Sequence, residues 1–443
     1  MVGADFSPGV NLPFTRETLD NGLTVLVHEH HDVPLVAVNV WYHVGSKNER
    51  PGLTGFAHLF EHLMFEGSEH YDKGFFGPLQ DAGASLNGST NADRTNYWET
   101  VPREALDLAL WLESDRMGHL LPALTEAKLT NQRDIVLNER RQNYENRPYG
   151  LASFALLGAL HPPDHPYHWP TIGWPDDIAA ASLADVSAFF ARYYHPANAT
   201  LAIAGDITAG DAIARARKFF GDIPAGPAVE PVRPPAPALT APMRLVLEDR
   251  VELPRLYLAW HSPALFADGD ADFDLLGEIL GGGKTSRLYK RLVFDDRVAT
   301  ELIATQASRE AGSMFQVVAT AAQGRHLSEI LDIVDAELAV LASHGPTGDE
   351  VERVRAQAES AFVMRLQHLG GFGGRADQLN AYQTYLGDPA AFGADLERYL
   401  RATRESIASA AAALAARHRA ELSVVPAGQA ALALAGSSPA RVI

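Results

Sequence analysis

Two histidines four residues apart, His58 and His62, stand on one face of any helix that contains them, because 3.6 residues complete a turn. Side chains so placed lie about 6 Å apart, and two neutral imidazoles at that spacing can grip one metal ion from the same side. Glu61 sits one residue before His62. It can reach a water on that metal without being a ligand. Two nitrogen donors and one base on one helix are the equipment for metal-assisted hydrolysis.

The surroundings support a helix that is held inside the fold. Phe56, Leu59, Phe60, Leu63, Met64 and Phe65 flank the polar residues, so the segment is apolar almost all round and is expected to be buried. Three titratable groups there are costly without a partner, and a metal ion is the simplest one. A catalytic zinc takes three protein ligands and keeps one position open. The chain has no cysteine, so the third donor is a His, Asp or Glu. Glu139 lies in a segment from Lys128 that reads as a helix, with Leu129, Ile135, Val136 and Leu137 available for its buried side. Nothing local separates Glu139 from Asp134, Glu126 or Glu145.

His-x-x-Glu-His inverts the His-Glu-x-x-His motif of zinc hydrolases. With 76 residues between His62 and Glu139, the pattern resembles the pitrilysin or insulinase-like zinc metallopeptidases. That family includes mitochondrial processing peptidase and insulin-degrading enzyme. Asn21–Val27 resembles the family's opening strand, and Val44–Glu49 and Gly52–Ala57 lead into the motif in the family's manner. Gly83–Tyr97 resembles the substrate-binding edge strand, and His165–Gly173 and Tyr193–Leu201 follow in the expected order. The likeness covers nearly the whole chain. It departs at Gln132, where the family often has a second glutamate seven residues before the ligand. A glutamine behind the ligands makes their surroundings less anionic.

The resemblance implies one zinc ion per chain on His58, His62 and Glu139, with Glu61 as general base. It implies that a peptide adds as a strand along Asn87, Gly88, Ser89 and Thr90, bound mostly through its backbone. Arg375 and Tyr382, seven apart on a helical face after a glycine-rich turn, look like the family's pair that holds the substrate and stabilises its oxyanion. Long family members fuse two halves, each about the size of this chain. A shorter chain is therefore expected to pair, as a homodimer or with a related subunit, so that Arg375 and Tyr382 of one chain complete the zinc site of the other.

Prolines recur at 224, 227, 231, 234, 235, 237 and 242, an extended linker over 223–243. It divides a zinc domain at 1–222 from a second domain at 244–443. Leu35–His43 after Pro34 matches Leu256–His261 after Pro254. Phe56–Leu63 can be laid over Phe273–Leu280, which sets Glu61 against Glu278 and the two histidines against Leu275 and Ile279. The second domain reads as a duplicate whose metal positions are aliphatic. The expected fold class is α+β: two homologous sandwich domains, each an antiparallel-rich sheet packed with helices. Gly281–Ser286 lacks phosphate-loop spacing, since the required first glycine would be Glu278. His28, His30 and His31 end a strand, where neighbours alternate sides. His161, His165 and His168 sit in a proline-rich loop and read as structural.

A formal net charge of −18 argues against a nucleic-acid partner. It favours cationic peptides if the acids line a cavity; otherwise it keeps the surface soluble. No run of apolar residues is long enough for a membrane span. The opening Met1-Val-Gly-Ala-Asp-Phe-Ser-Pro has no basic stretch followed by an apolar one; a periplasmic location is expected on family habit, with the cytoplasm as alternative. Three functions fit: a zinc endopeptidase acting on extended or unfolded peptides, a non-catalytic structural or binding subunit of the same fold, and a metal-dependent hydrolase of a non-peptide substrate. The intact His58, Glu61, His62 and Glu139 set favours the first.

Overall fold

The computed structural model describes residues 12–442; the opening eight residues read above lie outside them. The fold is α+β and carries two six-stranded mixed sheets packed with helices. The first contains β1 (Thr15–Thr18), β2 (Thr24–Glu29), β3 (Leu35–Tyr42), β4 (Ser85–Thr90), β5 (Thr95–Pro102) and β6 (Ala199–Gly205), in the order β1-β2-β6-β3-β5-β4. The second contains β7 (Met243–Asp249), β8 (Arg255–Ser262), β9 (Ala299–Ala307), β10 (Ser313–Ala321), β11 (Ala420–Pro426) and β12 (Ser438–Pro439), in the order β12-β7-β11-β8-β10-β9. Leaving out β1 and β12, the two sheets match strand for strand. Each also places one parallel pair at the same point, β2–β6 and β7–β11.

β3 shows why the sheet needs cover on both sides. Its residues Val36 to Tyr42 are all buried, as expected of a central strand. Val36, Val38, Val40 and Tyr42 face one way and Ala37, Asn39 and Trp41 the other. The second face packs on the helix Arg375–Leu386, whose Ala376 and Leu379 cluster with Leu26, Ala37, Ala202 and Ala204. Burying a leucine such as Leu379 contributes about 1.5–3 kcal/mol. In the second sheet the same task falls to the helix Ala152–Leu160, packed on Tyr257, Ala259, Leu422 and Val424.

Each half of the sequence therefore lends a helical segment to the other half's sheet. One compact unit takes the chain up to Leu137, Thr171–Pro231 and Ser360–Glu397; the other takes Asn138–Pro170, Val232–Glu359 and Arg398 onward. Each sheet keeps within its half, while the compact units cut across the halves. From 224 to 239 the chain has neither helix nor strand. Among the described residues no helix is long and apolar enough to cross a membrane.

Candidate active site

The His-x-x-Glu-His motif forms a short helix, Phe56–Leu63. Phe56, Ala57, Leu59, Phe60 and Leu63 are buried, while His58, Glu61 and His62 are half-buried. The helix is thus less enclosed than its apolar sequence suggested, with its polar face partly open. Phe60 packs its ring against Phe189, Phe190 and Tyr194 at 5.7, 5.7 and 5.2 Å. The entry is fixed by two glycines in contact. Gly55 has φ 83°, and a Cβ there would meet Ile178, the Ile172 carbonyl and Gly173; a Cβ on Gly173 would in turn lie 2.5 Å from Gly55 Cα. Glu49 accepts from the backbone N–H of Gly55 and of Ala57, both at 2.8 Å. A carboxylate at a helix N-terminus satisfies orphan donors and complements the dipole. Burial pushes the Tyr97 and Tyr194 phenols up, and the charge of Glu61 acts in the same direction. These phenols stay neutral beside Glu61.

The candidate third donor, Glu139, lies on the helix Glu126–Arg140. The division between the compact units falls within it, after Leu137, so Glu139 rides on the last turn of a helix rooted in the first unit. Donor atoms of His58, His62 and Glu139 all lie within 4.8 Å of one another, each residue half-buried. The His58 and His62 ring centroids are 4.8 Å apart. Glu145 pairs with Arg140 at 2.8 Å instead, and Glu126 and Asp134 are exposed. One π-helical turn, Arg141–Glu145, follows directly, and Asn143 donates to Glu139 Oε1 at 3.3 Å. The buried side of this helix is Leu129, Gln132 and Val136; Ile135, expected inside, is 39% exposed. Gln132 donates its amide to Glu66 Oε1. A carboxylate therefore stands four residues after His62, just beyond the end of the motif helix, and went unread in the sequence.

β4 is an edge strand of its sheet among the described residues, and the motif helix packs against β4 and β5. Asn87 is exposed and Ser89 and Thr90 are half-buried. Asn87 Oδ1 accepts from the Gly88 N–H at 2.8 Å. Gly88 is closely packed: a Cβ would lie 3.0 Å from Tyr97 and 3.1 Å from Phe65, so those rings would have to give. Ser89 is held by Asn96 and Arg94, both at 2.6 Å.

Arg375 and Tyr382 share the helix packed on the first sheet. Arg375 Nε donates to the Leu366 carbonyl at 2.6 Å, and Nη1 lies 3.2 Å from His28 Nε2. Tyr382 is 2% exposed and donates to Asp395 at 2.7 Å. Its hydroxyl is inside the core, not offered at a surface. Between them Asp377, unread in the sequence, accepts from Asn39, Trp41 and Asn96 at 3.2, 2.8 and 3.1 Å. His28 also contacts the Pro13 carbonyl at 2.7 Å and His31 contacts Asp206 at 2.7 Å. His161, His165 and His168 make local loop contacts, with His168 Nδ1 2.8 Å from the His161 carbonyl.

Behind β5 lies a charge cluster with no sequence signal. Arg116 and Glu113 form a buried two-pronged pair. The Arg116 guanidinium stacks over Phe75 and Tyr97 at 3.7 and 4.1 Å. Burial, and then the neighbouring Glu113, hold the Glu99 carboxyl well above the usual range.

Residues 24–159 match the family described as Insulinase (Peptidase family M16), and residues 180–358 match the family's Peptidase M16 inactive domain. The chain belongs to the M16 peptidase family. Among M16 relatives, a Helicobacter pylori protein named zinc protease PqqE is 29% identical over 358 residues, 79% of each chain. A Bacillus subtilis protein named uncharacterized zinc protease YmxG is 24% identical, over 80% of this chain and 84% of its own. A solved structure of a protease from Helicobacter pylori superposes with a TM-score of 0.84 at 25% identity, over 94% of this chain and all of that one. The periplasmic protease PqqL from Escherichia coli shares the fold, with a TM-score of 0.78 at 20% identity; the match takes in 96% of this chain but 49% of PqqL.

Proposed function

We propose that this protein is a zinc-dependent endopeptidase for extended or unfolded peptides. The observation that carries the reading is the meeting of His58, His62 and Glu139 donor atoms within 4.8 Å, with the two histidines on a helix that packs beside the edge strand β4. Two imidazoles and a carboxylate fit one zinc ion with a position left open. The relatives named zinc proteases agree with that metal. When bound, zinc supplies Lewis acidity that lowers the pKa of a coordinated water and polarises the scissile carbonyl.

The chain's own residues do the rest. Glu61 accepts the proton of the attacking water and returns it to the leaving amine. Asn87 to Thr90 offer the β4 edge as a template for the peptide backbone, which gives affinity with little sequence preference. Gln132 and Glu66 brace the Glu139 helix behind the ligands. The non-catalytic reading draws on the inactive-domain match, but that match starts at residue 180, beyond all four site residues. Edge-strand recognition favours peptides over other substrates.

The zinc domain, 1–222, and its duplicate, 244–443, joined by 223–243, form the working subunit, and two chains pair around the substrate. This chain matches about half of PqqL, as a subunit of such a pair would. In the pair, Arg375 and Tyr382 of one chain reach the zinc site of the other, and Tyr382 gives up its bond to Asp395 to do so. The proposed compartment is the periplasm, as for the periplasmic protease PqqL.

Chelation tests the metal. Turnover of an unstructured peptide should stop and return with zinc, while the fold persists because each sheet has its own core. Chelator-resistant turnover would contradict the reading. Mixing tests the pairing. Inactive Glu61→Gln and inactive Tyr382→Phe should regain activity under subunit exchange, through mixed pairs. A fully active monomer, or mixing that restores nothing, would contradict the shared site.

A further inference from the structure

A second cluster of metal donors lies outside this site. Donor atoms of Glu69, His70 and His119 fall within 4.8 Å of one another. Glu69 and His70 sit in the loop after the motif helix, and His119 sits near the end of the helix Leu106–Ala123. The side chains are about half exposed, at 47, 55 and 46%. Ion pairing alone would account for three such groups on a surface.

Two further observations go beyond ion pairing. The first is Asp115, whose side chain is 3% exposed. Its Oδ1 lies 2.5 Å from His70 Nδ1, while its Oδ2 accepts from Ser68 Oγ and from the His70 N–H. A buried carboxylate on Nδ1 fixes the tautomer and turns Nε2 outward as the donor atom, the arrangement that commonly supports metal-bound histidines. The second is the backbone at His119. Its φ of −134° and ψ of 26° break the helix, and its carbonyl accepts from the Glu69 N–H at 3.0 Å. The break brings the loop to the helix, and the His70 and His119 ring centroids stand 4.7 Å apart at 83°.

We infer that Glu69, His70 and His119 form a second, surface binding site for a transition-metal ion of the zinc type. Two imidazoles with one carboxylate select zinc, nickel or copper(II) over calcium or magnesium, which take oxygen ligands. Bound metal would tie the loop that follows His62 to the helix bearing Asp115. Asp115 positions His70 and is not itself a ligand.

The test is titration of the metal-free full chain with Zn²⁺ and, in parallel, Co²⁺, whose visible absorption reports coordination. Wild type should take up two equivalents, the second more weakly. His70→Ala with His119→Ala should keep one equivalent. His58→Ala with His62→Ala should also keep one, the weaker, and its melting temperature should still rise with added zinc. Asp115→Asn should retain the second equivalent with roughly 10–100-fold weaker affinity. If the His58/His62 variant binds no metal, or removing His70 and His119 leaves two equivalents, the second site does not exist. Loss of only the tighter equivalent would instead concern the proposed catalytic site.

Discussion

The molecule contains the same arrangement twice, and only one copy has the residues for chemistry. In the first sheet a short helix enters through Gly55 at φ 83° and packs beside the edge strand β4; in the second, Asp270–Gly281 enters through Gly269 at φ 85° and packs beside the edge strand β9. With Phe56 laid over Phe273, three residues further from its entry glycine than Phe56 is from Gly55, His58 and His62 meet Leu275 and Ile279, which are 2% and 0% exposed. Glu61 meets Glu278, which is exposed. The fold is satisfied by aliphatic side chains at those two positions. Histidines there forgo apolar burial, so their presence answers to function and not to folding. Both cores also bury charge: Glu99, Glu113 and Arg116 in the first, Asp270 and Glu421 in the second.

The largest difference between the copies should appear in turnover. Glu61→Gln should lower peptide hydrolysis by about 10²–10⁴-fold, the usual weight of a general base, while Glu278→Gln leaves it unchanged. Equal effects would erase the contrast. Next comes the charged core. Arg116→Ala should destabilise the protein by about 3–5 kcal/mol in denaturant unfolding, because it strands Glu113 as a buried unpaired charge. A smaller effect is expected from copying the second helix into the first. His58→Leu with His62→Ile should abolish turnover yet raise the stability of the metal-free protein by about 1 kcal/mol.

The last contrast is a slope with pH. The Glu99 pKa is raised in the fold by burial, so the native state keeps a proton that the unfolded chain releases above about 4.5. Its contribution is present below that pH and is lost as pH rises towards the raised native value, by up to about 1.4 kcal/mol per pH unit. Glu99→Gln should remove that slope, so its stability relative to wild type should grow from pH 5 upward. A constant difference would place Glu99 outside the titration.

What could be read in the sequence was local. His58, Glu61 and His62 declare themselves through helical spacing, and strand repetition either side of the proline-rich segment declares the duplicated sheets. Glu139 has no local signature and came from family resemblance, because its proximity to the histidines arises through tertiary packing across 76 intervening residues. Ile135 was expected inside, but Leu129, Gln132 and Val136 form the inward stripe, which admits a glutamine bonded to Glu66. The Gly55–Gly173 contact depends on distant segments meeting, whereas the Glu49 cap reaches N–H groups only six and eight residues on. The exchange of covering helices was hidden for the same reason: an apolar sheet face demands cover without saying which half supplies it. That exchange is also why Tyr382, aligned with Arg375 on its helix, has its hydroxyl in the core.

The central claim is that His58, His62 and Glu139 hold the metal while Glu61 acts on the water. Tightly bound zinc after exhaustive dialysis, measured beside peptide turnover for Glu61→Gln and Glu139→Ala, tests it most directly. The account predicts that Glu61→Gln retains one tight zinc per chain without turnover, and that Glu139→Ala loses both. Full zinc and turnover in Glu139→Ala, or loss of the tight zinc in Glu61→Gln, would contradict it.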